Sequence, residues 1–409
     1  MKEFFHFELK NGIRIIYKQT SSNVAHCGFV INAGSRDENI SENGIAHFIE
    51  HTLFKGTKKR KAYHILNRID SVGGEINAYT TKEKTCIYAS FMSEHFERAV
   101  ELLSDILFNS TFNENELEKE KEVIIDEIHS FEDTPYEQIF DDFEELVFKN
   151  HPLGFNILGS EKSVKSIDRK KILNFINKNY TAKEIVFSVI GNIEVKKIQK
   201  FAEKYIEGYI TKNYQKNRTA FKSYTSFTKE NTKDHNQSHT IIGNIAYHSH
   251  HKKKPGFILL NNILGGPSMN SRLNMTIREK YGYAYSIESS YTSYSDIGLF
   301  SVYVGTDKKN IQKSIDLIRK ELKKFRLTQL SSIQLHRAKQ QLLGQIVLAD
   351  ENNVNVMLGI AKSLINYGKV DSLEEVYKKI NRITATELIE ISNEIFDEKQ
   401  LSTLIFTQH

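Results

Sequence analysis

The sequence predicts an α+β protein of two duplicated domains, each an antiparallel β-sheet backed by helices. Three observations lead there. The chain has 409 residues, too many for one ordinary core, so two domains of about 200 residues are expected. Its apolar periodicity switches repeatedly between the two-residue repeat of strands and the 3.6-residue repeat of helices. The order of elements also repeats: two strands and then one long amphipathic helix occupy Glu75 to Asn109, and again Ile287 to Phe325.

In chain order, Phe5, Phe7 and Leu9 alternate with polar residues, Asn11-Gly12 marks a two-residue hairpin turn, and Ile13, Ile15 and Ile16 run back. A third strand, Val24 to Ile31, ends at Ala33-Gly34. Ile45, Phe48, Ile49 and Thr52 then recur at helical spacing, and Gly56 closes that helix. A second helix from about Tyr63 to Val72 stops at Gly73-Gly74. Strands are expected at Glu75 to Thr81 and Thr85 to Phe91, and long helices at about Glu94 to Phe108 and Glu114 to Phe131. Further helices lead to a strand at Ile185 to Ile190, closed by Gly191, and a helix at Val195 to Tyr205. Residues 211–237 are polar, rich in Lys, Asn, Thr and Ser, and without either period. They read as a linker between an N-terminal domain, 1–210, and a C-terminal domain, 238–409. Beyond it, strands are expected at Thr240 to Tyr247, Tyr285 to Tyr291, Gly298 to Tyr303 and Leu401 to Phe406. Helices are expected at Phe257 to Leu264 and Asn270 to Lys280, then from near Lys309 and Gln329, and after Asn352.

Composition excludes several classes. An apolar fraction of 39% and a charged fraction of 26% are those of a soluble globular chain. No run approaches the roughly 20 apolar residues of a membrane span, and the first residues lack the apolar core of a secretory signal. Cys27 and Cys86 are the only cysteines, too few for a disulfide framework, and a cytoplasmic location fits. A net charge of +5, with lysines and acids interleaved, argues against nucleic-acid binding. The run Lys58-Lys59-Arg60-Lys61 is expected to be a solvated loop.

The chemistry concentrates in Gly44-Ile45-Ala46-His47-Phe48-Ile49-Glu50-His51. On a helix, His47 and His51 lie four apart on one face, so both imidazoles can reach one ion. Glu50 falls on the same side, placed to act as a general base for water. This is the inverted zinc-peptidase order, His-x-x-Glu-His. The alternative, two hydrogen-bonded histidines on an amphipathic helix, has to find polar partners for them beside Ile45, Phe48 and Ile49. A catalytic zinc requires a third protein ligand and an open position. Glu127 offers one, between Ile124 and Ile128 on an apolar helix face. Glu120, two turns earlier on that face, could orient a ligating histidine; a surface stripe with Glu118 and Glu122 is its alternative reading.

With these residues in view, the chain resembles the pitrilysin family of inverted-motif zinc peptidases, which includes insulin-degrading enzyme and the mitochondrial processing peptidase. The resemblance covers nearly the whole chain. It rests on His47 to His51, on Glu118-Lys119-Glu120 leading to Val123 to Ile128, on Gly73-Gly74-Glu75-Ile76-Asn77-Ala78, and on Ser271-Arg272-Leu273 with Ile277-Arg278-Glu279-Lys280. The family's third ligand falls about 76 residues past the second histidine, where Glu127 stands. The length matches the short bacterial branch. The resemblance implies one Zn²⁺ per chain and peptide substrates. It implies that Arg278 and Tyr285, seven apart, contact the substrate, and that the strand bearing Asn77 and Ala78 pairs with it. It also implies a homodimer, or a heterodimer with a paralogue, with Arg278 and Tyr285 serving the partner's metal. A processing peptidase specific for targeting sequences and a non-catalytic family subunit are the alternatives. His248, His250 and His251 are expected to be a polar loop rather than a second metal site. Asp141, Asp142, Glu144 and Glu145 are expected to be a solvated helix face, and Gly265-Gly266 a turn.

Overall fold

In the computed structural model, residues 4–209, 214, 216–233 and 237–408 are described. Residues 211–213, 215 and 234–236 of the expected linker lie outside them. The strands are β1 (Phe5–Glu8), β2 (Arg14–Gln19), β3 (Val24–Ile31), β4 (Glu75–Thr80), β5 (Thr85–Met92), β6 (Ile185–Gly191), β7 (Thr228–Lys233), β8 (Ser238–Ala246), β9 (Ala284–Ser293), β10 (Gly298–Thr306) and β11 (Ser402–Gln408). The helices are α1 (Ile45–Thr52), α2 (Ala62–Asp70), α3 (Phe96–Asn109), α4 (Glu114–Glu132), α5 (Pro135–Val147), α6 (Glu161–Lys165), α7 (Arg169–Asn179), α8 (Val195–Tyr205), α9 (Lys254–Gly265), α10 (Ile311–Leu327), α11 (Ser332–Asp350), α12 (Asn353–Tyr367), α13 (Leu373–Arg382) and α14 (Ala385–Ile395). Among the described residues, no helix is long and apolar enough to cross a membrane.

Two compact units form. The first comprises Met1–Ser130, Phe155–Thr219 and Leu348–Val370, and the second comprises Phe131–Gly154, Ala220–Val347 and Asp371–His409. Neither unit is contiguous in sequence, unlike the segments 1–210 and 238–409 drawn from the linker.

In the first unit a six-stranded sheet runs β1-β2-β6-β3-β5-β4. It is antiparallel apart from β2 and β6, because β6 inserts between β2 and β3 and runs parallel to β2. Along β3, Ala25, Cys27, Phe29 and Ile31 point into a core shared with Ile45, Phe48 and Ile49 of α1 and Leu103 and Ile106 of α3. The other sheet face is also apolar. Ile16, Val30, Cys86 and Val186 meet Met357, Leu358, Ala361 and Leu364 of α12. Ser188 Oγ donates to the Met357 carbonyl at 2.7 Å, satisfying the one hydroxyl buried there by β6. The first unit therefore takes a covering helix from late in the chain.

The second unit mirrors this. Its five-stranded sheet runs β7-β11-β8-β10-β9, antiparallel except that β7 runs parallel to β11. Phe300, Val302 and Val304 of β10 pack with Phe257 and Leu260 of α9, Ile315 and Ile318 of α10, and Ile391 of α14. On the opposite face Ile241, Leu299, Tyr303, Leu404 and Phe406 meet Ile139, Phe143 and Val147 of α5, which comes from early in the chain. The α+β class thus stands, with each sheet covered on both faces and mixed at one pair.

Several local expectations are corrected. The first hairpin turns at Asn11-Gly12, but over three residues rather than two: Leu9 N–H bonds the Ile13 carbonyl and Gly12 N–H the Leu9 carbonyl, each at 2.9 Å, which leaves Lys10, Asn11 and Gly12 as the loop, with Gly12 at φ +94. Leu9 is buried, and the Asn11 amide donates to the carbonyls of Ile206 at 2.8 Å and Tyr209 at 3.0 Å beyond α8. These bonds anchor the tight turn to the segment after α8. The polar stretch read as linker contains β7, whose Thr, Lys, Glu and Asn residues pair with β11 through the backbone and leave no apolar alternation to read. Arg218 in the same stretch forks onto both carboxylate oxygens of Asp37, at 2.9 and 2.8 Å, and Lys216 reaches that carboxylate at 3.0 Å. Arg60 is not solvated. It bonds Asp105 at 2.7 Å and both oxygens of Glu101 at 2.7 and 2.8 Å.

The β4–β5 turn is locked to the loop after β3. Ser35 and Arg36 donate their backbone N–H to the carbonyls of Thr81 and Lys82 at 3.2 and 2.7 Å. Gly34 makes this approach feasible: a Cβ there would stand 2.1 Å from the Thr81 oxygen. Gly34→Ala is expected to lower stability by about 1–3 kcal/mol, read as a lower urea midpoint at unchanged slope.

Candidate metal centre

Helix α1 places the chemistry because its other face is committed to the core. Ile45, Phe48 and Ile49 are fully buried, so His47, Glu50 and His51 share what remains. Its N-terminus has no side-chain cap of its own: Gly44 stands there at φ +90, and a Cβ would press on the Leu158 carbonyl at 2.5 Å. Glu38 supplies the cap instead, accepting from Gly44 N and Ala46 N, each at 2.8 Å. That fixes the turn from which His47 projects. Helix α4 buries Leu117, Ile124 and Ile128 and turns Glu120 and Glu127, two turns apart, toward α1.

His47, His51 and Glu127 come together. Their ligand atoms all lie within 4.8 Å of one another, the one such group of three among the described residues. Glu127 Oε2 stands 3.8 Å from His47 Nε2 and 3.5 Å from His51 Nε2, and the two rings are 4.5 Å apart at their centroids. The Glu127 side chain is 43% exposed, yet Oε2 itself is buried and bonds to nothing. An orphaned buried carboxylate oxygen facing two imidazole nitrogens fits a divalent cation of the zinc class, which these three donor types suit and which leaves a position for a fourth ligand.

Glu120 is buried and its Oε1 lies 2.9 Å from His51 Nδ1. A carboxylate only accepts, so Nδ1 carries the proton and Nε2 turns its lone pair toward Glu127. Lys55 Nζ closes on the other Glu120 oxygen at 2.6 Å. Glu50 Oε2 accepts from Thr80 Oγ1 at 2.6 Å.

The electrostatics agree. Burial, then the neighbouring His51, push His47 down to about 4, so its imidazole is neutral near pH 7. Burial alone would lower His51 too, but Glu120 and Glu127 outweigh it and raise its value. Burial raises Glu120, and the bonds from His51 and Lys55 reverse that and hold it ionised. Glu50 is raised by burial, against the bond from Thr80, which brings it toward the range useful to a base.

Asn77 and Ala78 sit on β4, paired on one side with Tyr88 and Ile87 of β5, while the other side of β4 is the sheet's edge among the described residues; α1 packs on the strand's core face. Arg278 and Tyr285 belong to the second unit. The helix expected at Asn270 to Lys280 is wound as a π-helix over Asn274–Lys280, a form that recurs at functional sites. Arg278 is exposed there and pairs with no side chain among the described residues. Gly282, at φ +63, ends the segment, with its N–H on the Arg278 carbonyl at 3.0 Å. Tyr285 is 62% exposed and donates to Asp307 at 2.9 Å. His248, His250 and His251 occupy the loop after β8, where His251 stacks on Tyr247 at 4.1 Å. Glu144 is not free in solvent: it accepts from Tyr294 at 3.0 Å.

Glu38, Lys55 and Thr80 escaped the sequence reading. The missing N-cap before α1 was a signal for an outside acceptor, and Lys55 stands one turn after His51. Thr80 gave no signal, because its role follows from packing α1 against β4.

The fold and this site define the class as the inverted-motif peptidases. Residues 14–161 match the insulinase family, peptidase family M16, and residues 166–342 match the peptidase M16 inactive domain. The chain belongs to peptidase family M16. It is 34% identical over 403 residues to the uncharacterized zinc protease YmxG of Bacillus subtilis, covering 98% of this chain and 97% of that one. It is 32% identical over 418 residues to the mitochondrial-processing peptidase subunit beta of Saccharomyces cerevisiae, covering 97% and 89%. A protease from Helicobacter pylori shares the fold at a TM-score of 0.90 and 20% identity, over 99% of both chains. A structure from Pseudomonas fluorescens titled as a peptidase M16 inactive domain does so at 0.91 and 16%, over 99% and 98%.

Two outcomes are expected at this centre. Glu120→Gln weakens divalent-cation affinity about 10- to 100-fold, measured by competition with a chromogenic chelator. Protons compete with the cation at His51, whose protonated form Glu120 and Glu127 favour. Affinity is therefore full above the raised His51 value and falls as pH drops through it, starting above the ordinary imidazole range. Calorimetry between about pH 8 and 5.5 checks this, and a flat profile contradicts it.

Proposed function

We propose that the chain is a zinc metalloendopeptidase that hydrolyses unfolded or short peptides, with one zinc per chain held by His47, His51 and Glu127. The convergence of these three side chains beside Glu50 carries the reading. Zinc held by these three residues would supply Lewis-acid chemistry for the scissile carbonyl and for a water nucleophile near neutral pH.

The chain's own residues do the rest. Glu50 accepts the proton of the attacking water and returns it to the leaving amine, for which its raised proton affinity suits it. Glu120 holds His51 in the tautomer that presents Nε2. The free edge of β4 receives an extended peptide as an added strand, with Asn77 and Ala78 at the contact. Such pairing uses backbone atoms, so it sets little sequence preference and requires an unfolded segment. Arg278 and Tyr285 supply donors for the substrate backbone or its developing oxyanion. The active assembly is a homodimer or a pair with a paralogue, and the site works in the cytoplasm.

A second reading, a processing peptidase for targeting sequences, draws on the similarity to the yeast subunit. A peptide-library digest separates the two: broad cleavage supports the first, and cuts confined to one motif near basic residues support the second.

Chelation is expected to abolish peptide cleavage and added Zn²⁺ to restore it. Glu50→Gln is expected to lower kcat by about 10²- to 10⁴-fold while zinc stays bound. Normal cleavage by that variant overturns the assignment of the base. Extended peptides are expected to be cut and to compete with one another, and tightly folded proteins to resist.

A further inference from the structure

We propose that Thr80 is a positioning residue for this reaction: from the pinned end of β4, its hydroxyl fixes the carboxylate of Glu50. The proposal rests on the reading of Glu50 as the base.

A glutamate has three rotatable side-chain bonds, so a base carried on one needs a partner to hold it. Thr80 Oγ1 donates to Glu50 Oε2 at 2.6 Å, and no other side chain hydrogen-bonds Glu50 among the described residues. One oxygen is thereby occupied and the other is left to take a proton.

The donor is itself held. Thr80 pairs with Thr85 at the last register position of β4. Just beyond it, Thr81 N and Oγ1 both donate to the Lys84 carbonyl, at 2.8 and 3.1 Å. Glu83 in that turn meets Arg36 at 2.7 Å and Arg218 at 3.3 Å, with the Arg36 and Glu83 side chains almost wholly buried. Lys82 Nζ donates to the Phe155 carbonyl at 2.6 Å, and Lys84 Nζ to Asn32 Oδ1 at 2.6 Å. Thr80 thus stands where β4 is tied to the loop after β3 and to residues 216–219.

Asn77 and Ala78 precede it on the same strand. The element offered to the peptide and the group aiming the base are one rigid piece, so the distance between a docked backbone and the base is set by β4 itself.

The test uses the full-length, zinc-loaded protein and an internally quenched peptide. Thr80→Val keeps the shape and removes the hydroxyl, and Thr80→Ser keeps the hydroxyl. Thr80→Val is expected to lower kcat about 10- to 100-fold with KM and zinc content unchanged, and Thr80→Ser to stay within about threefold of the parent. The proposal is overturned if Thr80→Val retains the parental kcat, if its loss appears in KM or zinc content, or if Thr80→Ser falls as far. Glu50→Gln is assayed beside them. If it is inactive while Thr80→Val is unimpaired, only the positioning role is lost. If Glu50→Gln cleaves normally, the base assignment fails and takes this role with it.

Discussion

The hydrogen bond between His51 and Glu120 joins the two helices on which the centre depends. It settles which imidazole nitrogen carries a proton, and therefore which one faces Glu127. It spans from α1 to α4, so neither helix can rotate without breaking it. Lys55 on the far oxygen keeps Glu120 charged in a buried place that would otherwise favour its neutral form. Without a cation, two imidazoles and one orphaned carboxylate oxygen stand close together at a cost in desolvation. A fold tolerates such groups where a ligand compensates them.

The surroundings hold this geometry from outside. Glu38 caps α1 in place of a residue that Gly44 cannot supply, because the chain passes too close to Leu158 for any Cβ. The sheet meets α1 at β4, whose outer edge is open and whose final residue touches Glu50. The edge strand and the helix bearing His47, Glu50 and His51 are therefore packed against each other, the arrangement that keeps side chains in register within fractions of an ångström.

Much of the centre was legible in the sequence, because it is written in local spacing. His47, Glu50 and His51 declare themselves by helical offsets, and Glu127 by an acid set among isoleucines. Most element boundaries fell within two residues, since strands such as β3 are short, mostly apolar runs closed by a turn signal, here Ala33-Gly34. The losses share one cause. Asn11 bonds carbonyls nearly two hundred positions away, β7 pairs with β11 through a polar sequence, and Thr80 meets Glu50 through a contact between a strand and a helix. None of these leaves a periodic trace. The π-helical winding around Arg278 is likewise invisible to a pattern of apolar positions, which a looser coil satisfies equally well. The similarity of the two halves was readable as a repeated order of elements. The helices that cover each sheet's second face were not assigned to it, since each is remote in sequence from the strands it covers.

That remoteness bears on how the protein is made. Among the described residues, α12 is the helix that covers the second face of the first sheet, and it begins at Asn353 whereas β6 ends at Gly191. During synthesis, the N-terminal strands leave the ribosome long before their covering helix exists. A broad apolar face built from Ile16, Val30 and Val186 then waits until residues 192–352 and α12 itself have emerged. A nascent chain in that condition is a natural client for holding chaperones, and a fragment that stops at the polar midpoint leaves that face turned to water.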